Sequence, residues 1–98
     1  EHGTIVSADL TSQNLKVIMA MHTTNTGTVE MKVKTPTSSR WINYASFNLN
    51  KEYNSPELEF NITKNSGFKI SEIKMIFIDQ SGQDYQLGNY VFPSNQTE

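Results

Sequence analysis

The chain has 98 residues, no cysteine and a formal net charge of −2, and only 18% of its residues are charged. This length suits one domain with a packed core. The lack of cysteine excludes disulfides and thiolate zinc sites, and the weak negative charge argues against long-range attraction to nucleic acid or to an acidic membrane. We therefore expect a single domain over residues 1–98, with its core from about residue 4 to residue 92, and neither nucleic acid nor a membrane as a partner.

The first third of the sequence predicts three short strands, over residues 4–8, 15–22 and 28–34. In the third, Val29, Met31 and Val33 alternate with polar residues, which is the period of a half-solvated antiparallel strand. The second has apolar residues on both faces, so we expect it to be covered on both sides. Polar turn residues separate the strands at 9–14 and 23–27.

The rest of the chain continues this pattern. Further strands are predicted over residues 40–47, 57–63, 73–79 and 85–92, and residues 68–72 fit either a short strand or one helical turn. Residues 35–39, 48–56, 64–67 and 80–83 are predicted loops, and the apolar run 73–79 favours a central strand covered on both faces. No long segment has helical periodicity. Seven to eight short strands predict an all-β fold, an antiparallel β-sandwich that is immunoglobulin-like or jelly-roll-like.

The aromatic strand 40–47 carries the only tryptophan. Strict alternation places its side chains on two faces, one with Trp41, Asn43, Ala45 and Phe47 and the other with Ile42, Tyr44 and Ser46. Two interpretations of Trp41 follow. It is the core residue between the sheets, as in immunoglobulin domains, or it faces solvent beside Asn43 while Ile42 and Tyr44 point inward.

No set of residues predicts catalysis. The chain offers no nucleophile, base and orienting group in a known pattern, so we predict that it is not an enzyme. Glu57 and Glu59 share a strand face opposite apolar residues, which is typical of a solvated pair.

Metal and nucleic-acid sites have little support. His2 and His22 are the only histidines and lack ligand spacing, so no metal ligand is predicted. Asp79 and Asp84 flank a glycine turn, which favours a plain turn, although a structural calcium stays open. Three basic residues near Trp41 in the sequence, Lys32, Lys34 and Arg40, could form a nucleic-acid-binding patch. Glu30 interrupts this patch, so it gives little support to such a site.

The candidate binding residues that remain after these sites are mostly aromatic and amide side chains. Aromatic rings stack on the C–H faces of sugars, and amides exchange hydrogen bonds with their hydroxyls. We therefore predict a glycan-binding surface. Its candidate residues are Trp41, Asn43, Tyr44, Tyr53, Tyr85, Gln86 and Asn89.

The order of features in the second half supports this prediction. A strand from residue 29 to residue 33 leads to Trp41, an apolar strand over 73–77 precedes the turn at 81–82, and residues 88–92 form an aromatic closing strand. In this order the chain resembles the small non-catalytic carbohydrate-binding modules attached to amylases and related glucan-active enzymes. The resemblance implies that Trp41 stacks on the sugar and that Tyr85 takes the position of a second aromatic residue of those modules. It does not distinguish starch, β-glucan or another glycan as the ligand.

Two functions follow from these observations. The first is a non-catalytic carbohydrate-binding module, extracellular or on the cell surface, that targets parent catalytic or surface domains to a polysaccharide, with a glucan expected. The second is a structural, immunoglobulin-like spacer or adhesin module of a cell-surface protein, in which Trp41 is a core residue.

Overall fold

A computed structural model describes residues 1–97, and its regular structure consists of seven β-strands. The strands are β1 (His2–Leu10), β2 (Asn14–Thr23), β3 (Gly27–Lys34), β4 (Ile42–Leu49), β5 (Tyr53–Thr63), β6 (Glu72–Asp79) and β7 (Asp84–Val91). Residues 1–97 include no helix that is long and apolar enough to cross a membrane.

The strands form two sheets in which all neighbours are antiparallel. One sheet has the order β1-β2-β5 and the other β4-β3-β6-β7. This confirms the predicted antiparallel sandwich. Its connectivity is immunoglobulin-like, because the second and fifth strands share one sheet while the third, sixth and seventh share the other. A jelly roll has eight strands in two Greek keys, and residues 1–97 form seven.

The core lies between the sheets, and three central strands supply most of it. Residues that alternate along β2, β3 and β6 are shielded from solvent because one face of each strand meets the opposite sheet. The innermost side chains of these strands are Leu15, Val17, Met19, Val29, Met31, Val33, Ile73, Met75 and Phe77. All four methionines of the sequence belong to this core, where their flexible side chains fill irregular gaps.

Several strand bounds differ from prediction. The predicted loop 48–56 is too long: residues 50–52 connect the strands, whereas residues 48–49 belong to β4 and residues 53–56 to β5. Pro56 is tolerated in β5 because this edge strand is irregular opposite Ala20. Residues 68–71 form neither a strand nor a helical turn, and β6 begins at Glu72. The outer side of β2 stays partly exposed, so its expected cover on both sides is wrong.

A β-bulge corrects the predicted faces of the aromatic strand. Met31 pairs with Ala45 while Lys32 pairs with Asn43, so Tyr44 is the extra residue on β4. An extra residue reverses the alternation beyond it. Trp41 and Asn43 therefore do not share a face with Ala45 and Phe47, as strict alternation predicted; Ala45 and Phe47 pack against the core.

The connection from β5 to β6 is held by a lysine in the predicted loop 64–67. Lys64 is 3% exposed. Its ammonium group donates hydrogen bonds to the carbonyl oxygens of Ser12, Asn65 and Phe68 at 3.0, 3.2 and 2.9 Å. Its backbone N–H donates to Gln13 at 2.8 Å. The side chain thus fastens the β1–β2 turn to the start of the connection.

Candidate functional site

The side of the four-stranded sheet that faces away from β1, β2 and β5, here called the outer face, carries rows of mostly polar side chains. The strand register places residues of all four strands side by side. One row consists of Asn43, Lys32, Lys74 and Asn89; the next consists of Ser46, Glu30, Ile76 and Gln86. On the other side of the first row lie Lys34, Glu72 and Val91. Adjacent strands are about 4.8 Å apart, so each row spans about 14 Å.

Trp41 lies on this outer face. It immediately precedes β4, is partly exposed and is not among the residues packed against the core. The ammonium nitrogens of Lys34 and Lys74 lie over its ring, 4.6 and 4.4 Å from the centroid. Both lysines alternate with buried residues of β3 and β6, and therefore project outward. The indole is thus attached to the outside of the sandwich rather than enclosed between its sheets.

At the β4 bulge, a shallow groove opens between β3 and β4. The groove has a volume of about 250 Å³ and is lined by Glu30, Met31, Asn43, Tyr44, Ala45 and Ser46. Asn43 and Ser46 are exposed and Glu30 is partly exposed, so an amide, a hydroxyl and a carboxylate surround the opening. These groups both donate and accept hydrogen bonds, as recognition of sugar hydroxyls requires.

Four of the seven predicted site residues belong to the outer face: Trp41, Asn43, Gln86 and Asn89. The Asn89 amide donates a hydrogen bond to Glu72 at 3.2 Å, and Glu72 also forms a salt bridge of 3.8 Å with Lys34. Because the amide and the carboxylate orient each other, Asn89 is held in place beside Lys74.

The three tyrosines of the predicted site pack against the core, although Tyr44 also lines the groove at the β4 bulge. Tyr44 stacks on Phe68 with a centroid distance of 5.5 Å, and burial raises its pKa. Tyr53 is half-buried on the three-stranded sheet. Tyr85 packs on Phe77 at 6.1 Å.

The hydroxyl of Tyr85 donates a hydrogen bond to Asp79 at 3.3 Å. Partial burial of the ring, followed by the neighbouring carboxylate, raises the pKa of Tyr85. Because this hydroxyl is already engaged and the ring packs inward, Tyr85 does not extend the surface around Trp41.

The lysines of β3 and β6 are the residues that the site prediction did not include. Alternation along β3 places Lys32 and Lys34 on one outward face, and the sequence associates both with Trp41 as a basic group. Lys74 gave no such signal, because it lies in the most apolar strand of the chain and reaches Trp41 only through the pairing of β3 with β6. Arg40 is exposed next to Trp41 in the chain.

Two other clusters have structural explanations. His2 and His22 are cross-strand partners whose rings stack at 5.2 Å. No group of three histidine, cysteine or acidic side chains suited to a metal occurs within residues 1–97. The Asp79 carboxylate accepts hydrogen bonds from the Ser81 hydroxyl and N–H and from the Gln83 N–H, at 2.7, 2.9 and 3.0 Å, and thereby closes its own turn.

Comparisons of the chain with protein-family models, curated proteins and solved structures found no match. The function must therefore be inferred from the geometry of the outer face.

Proposed function

We propose that the chain is a non-catalytic carbohydrate-binding module, which holds a parent extracellular or surface protein on a polysaccharide through the outer face of its four-stranded sheet. The observation that carries this proposal is the position of Trp41, partly exposed outside the sandwich and beside the row that contains Asn43 and Asn89. A sugar that stacks on the indole would have amide groups within reach of its hydroxyls.

The shape of the surface fits an extended polymer better than a small molecule. A sheet row about 14 Å wide is comparable to two or three sugar units, and the groove at the β4 bulge is shallow rather than enclosed. Binding on such a surface leaves most of the ligand hydrated, so we expect modest affinity with favourable enthalpy. The benefit to a parent protein is a higher local concentration on its substrate.

Retardation of the protein in native gels that contain soluble polysaccharides tests the proposal. We expect at least one glycan, such as a glucan, to slow the wild type. Trp41→Ala should weaken that retardation at least about tenfold, equivalent to about 1.4 kcal/mol. Ile42→Ala is the matched control, because Ile42 is the adjacent apolar residue, is 40% exposed and pairs with Val33 of the inward-facing set.

Circular dichroism and thermal melting of both variants establish that the fold is intact. If Trp41→Ala folds normally and is retarded as strongly as the wild type by every polymer, the stacking role is refuted. If no glycan in a broad panel retards the wild type, the binding proposal itself is refuted.

The second candidate is a structural spacer or adhesin module. The observation in its favour is that the contacts of Trp41 with Lys34 and Lys74 attach the 35–41 loop to the sheet, a role that requires no ligand. In that case Trp41→Ala lowers the melting temperature while the wild type binds no polysaccharide. The intrinsic tryptophan emission would then be unchanged by any glycan.

A further inference from the structure

The outer face brings positive charges together although the protein as a whole is acidic. Lys32 and Lys74 are direct cross-strand partners, and Lys34 is the next outward residue on β3. Within residues 1–97 the only salt bridge joins Lys34 to Glu72, so neither Lys32 nor Lys74 has such a partner in this part of the chain. We call Lys32, Lys34, Lys74 and Trp41 the lysine–tryptophan cluster.

Two like charges that face each other across a sheet are unfavourable. The strands of this pair are about 4.8 Å apart, and both ammonium groups extend from the same face. The indole relieves part of the repulsion, since it attracts the ammonium group of Lys74. Among the described residues 1–97, Lys32 makes no such contact with a ring. An anion between the two lysines would remove the remaining repulsion.

The contacts on Trp41 also bear on which sugar binds there. Because Lys34 and Lys74 both lie over the ring, a sugar on that surface must compete with ammonium groups. A neutral sugar offers the two ammonium groups only hydroxyl oxygens as hydrogen-bond acceptors. A sugar that bears a carboxylate or a sulfate gives them ion pairs, which are charge-assisted and stronger.

We infer that the polysaccharide recognised by the outer face is acidic, with carboxylate or sulfate groups that pair with Lys32 and Lys74 while a sugar ring stacks on Trp41. This inference rests on the proposed function and specifies its ligand class. The overall charge of −2 gives no long-range attraction to polyanions, so the selectivity arises from contacts within the cluster. The neighbouring amides Asn43 and Asn89 favour a sugar polymer over an acidic polypeptide, because they offer hydrogen bonds to hydroxyls.

A matched pair of polymers separates charge from sugar shape. Polygalacturonate carries one carboxylate per sugar unit, whereas its fully methyl-esterified form has the same backbone without the charge. We expect native gels with polygalacturonate to retard the wild type at least about fivefold more strongly than gels with the ester, and about 0.5 M NaCl to abolish most of the difference.

Charge variants locate the interaction. Lys32→Gln and Lys74→Gln should each weaken retardation by polygalacturonate about three- to fivefold, as expected for partly exposed ion pairs. Neither should weaken retardation by the ester, which offers no carboxylate to these lysines, and Lys74→Gln also removes an ammonium group that competes with the sugar for the Trp41 ring. Lys74→Arg should retain most of the binding. Lys16→Gln, on the outer side of the three-stranded sheet, is the control and should behave as the wild type.

The outcomes distinguish this inference from the proposed function. Retardation by neutral glycans that depends on Trp41, without a preference for polygalacturonate, overturns the inference and leaves the proposed function intact. Binding of neither polymer class overturns both. Equal retardation by polyglutamate, unaffected by Trp41→Ala, indicates an acidic polypeptide partner and also overturns the inference. The salt dependence is measured on the wild type, so the test stands even if a lysine variant fails to fold.

Discussion

Replacement of the buried lysine by methionine, Lys64→Met, tests how the β5–β6 connection is held. The native ammonium group donates to three carbonyl oxygens at 2.9–3.2 Å and is almost completely buried. Methionine fills a similar volume but donates nothing, so the three carbonyls lose their donor. A carbonyl left without a partner costs about 1–3 kcal/mol, and relief of the buried charge offsets part of the total.

We therefore expect Lys64→Met to lower the free energy of unfolding by about 2–4 kcal/mol. For a domain of this size, 1 kcal/mol corresponds to about 4–8 °C in melting temperature, so the melting temperature should fall by about 8–30 °C. Urea unfolding followed by circular dichroism measures the free energy, and thermal scans measure the melting temperature. The denaturant slope should not change, because the substitution alters the contacts and not the surface exposed on unfolding.

Lys69→Met is the control for loss of a positive charge, since Lys69 is exposed in the same connection. Its effect should stay within about 0.5 kcal/mol. If Lys64→Met is as stable as this control, the three hydrogen bonds contribute nothing net, and the ammonium group is not what fastens the β1–β2 turn to residues 64–68.

Two further substitutions test other parts of the fold. Gly27→Ala should destabilise the protein by about 1–3 kcal/mol in urea unfolding, because the added Cβ would collide with the Ile78 carbonyl oxygen and lie 2.8 Å from the Phe77 ring; a neutral effect would contradict this packing. Hydrogen bonds, chiefly from the Ser81 side chain, hold the pKa of Asp79 below its ordinary value of 3.8. Its carboxylate therefore stabilises the fold above that pH, and the contribution is lost as the pH falls through the lower folded pKa. Asp79→Asn should be less stable than the wild type at pH 6, and the difference in melting temperature should shrink below pH 4; a constant difference would refute the assignment.

The sandwich could be predicted because its central strands follow simple alternation. In β3, Val29, Met31 and Val33 occupy every second position and all are buried, as expected for a strand with one face on the core. The apolar run of β6 likewise predicted a central strand, and β6 lies between β3 and β7. In these segments the local pattern and the packed sheet require the same arrangement.

The irregular features of the sheets could not be predicted, because they depend on how distant strands pair and not on the local sequence. The bulge at Tyr44 depends on how β4 pairs with β3, and it separates Trp41 and Asn43 from Phe47 in a way that alternation cannot show. Similarly, Pro56 indicated a loop, yet an edge strand with an irregular register accommodates it. The contact of Lys74 with Trp41 depends on sheet order, which the sequence did not specify.

The lysines show how hydrogen-bond satisfaction separates a structural charge from one that is available to a ligand. The ammonium group of Lys64 is buried and has three carbonyl partners. A ligand could bind it only if these hydrogen bonds broke, which would destabilise the fold. Lys74 is partly exposed, faces a like charge on Lys32 and has an aromatic ring as its partner. An ammonium group over a ring keeps donors free for further hydrogen bonds, because the ring accepts none of them strongly. The outer face therefore retains positive charge without a salt-bridge partner in the described part of the chain at Lys32 and Lys74, beside a partly exposed indole, and this is why we propose an acidic sugar as its ligand.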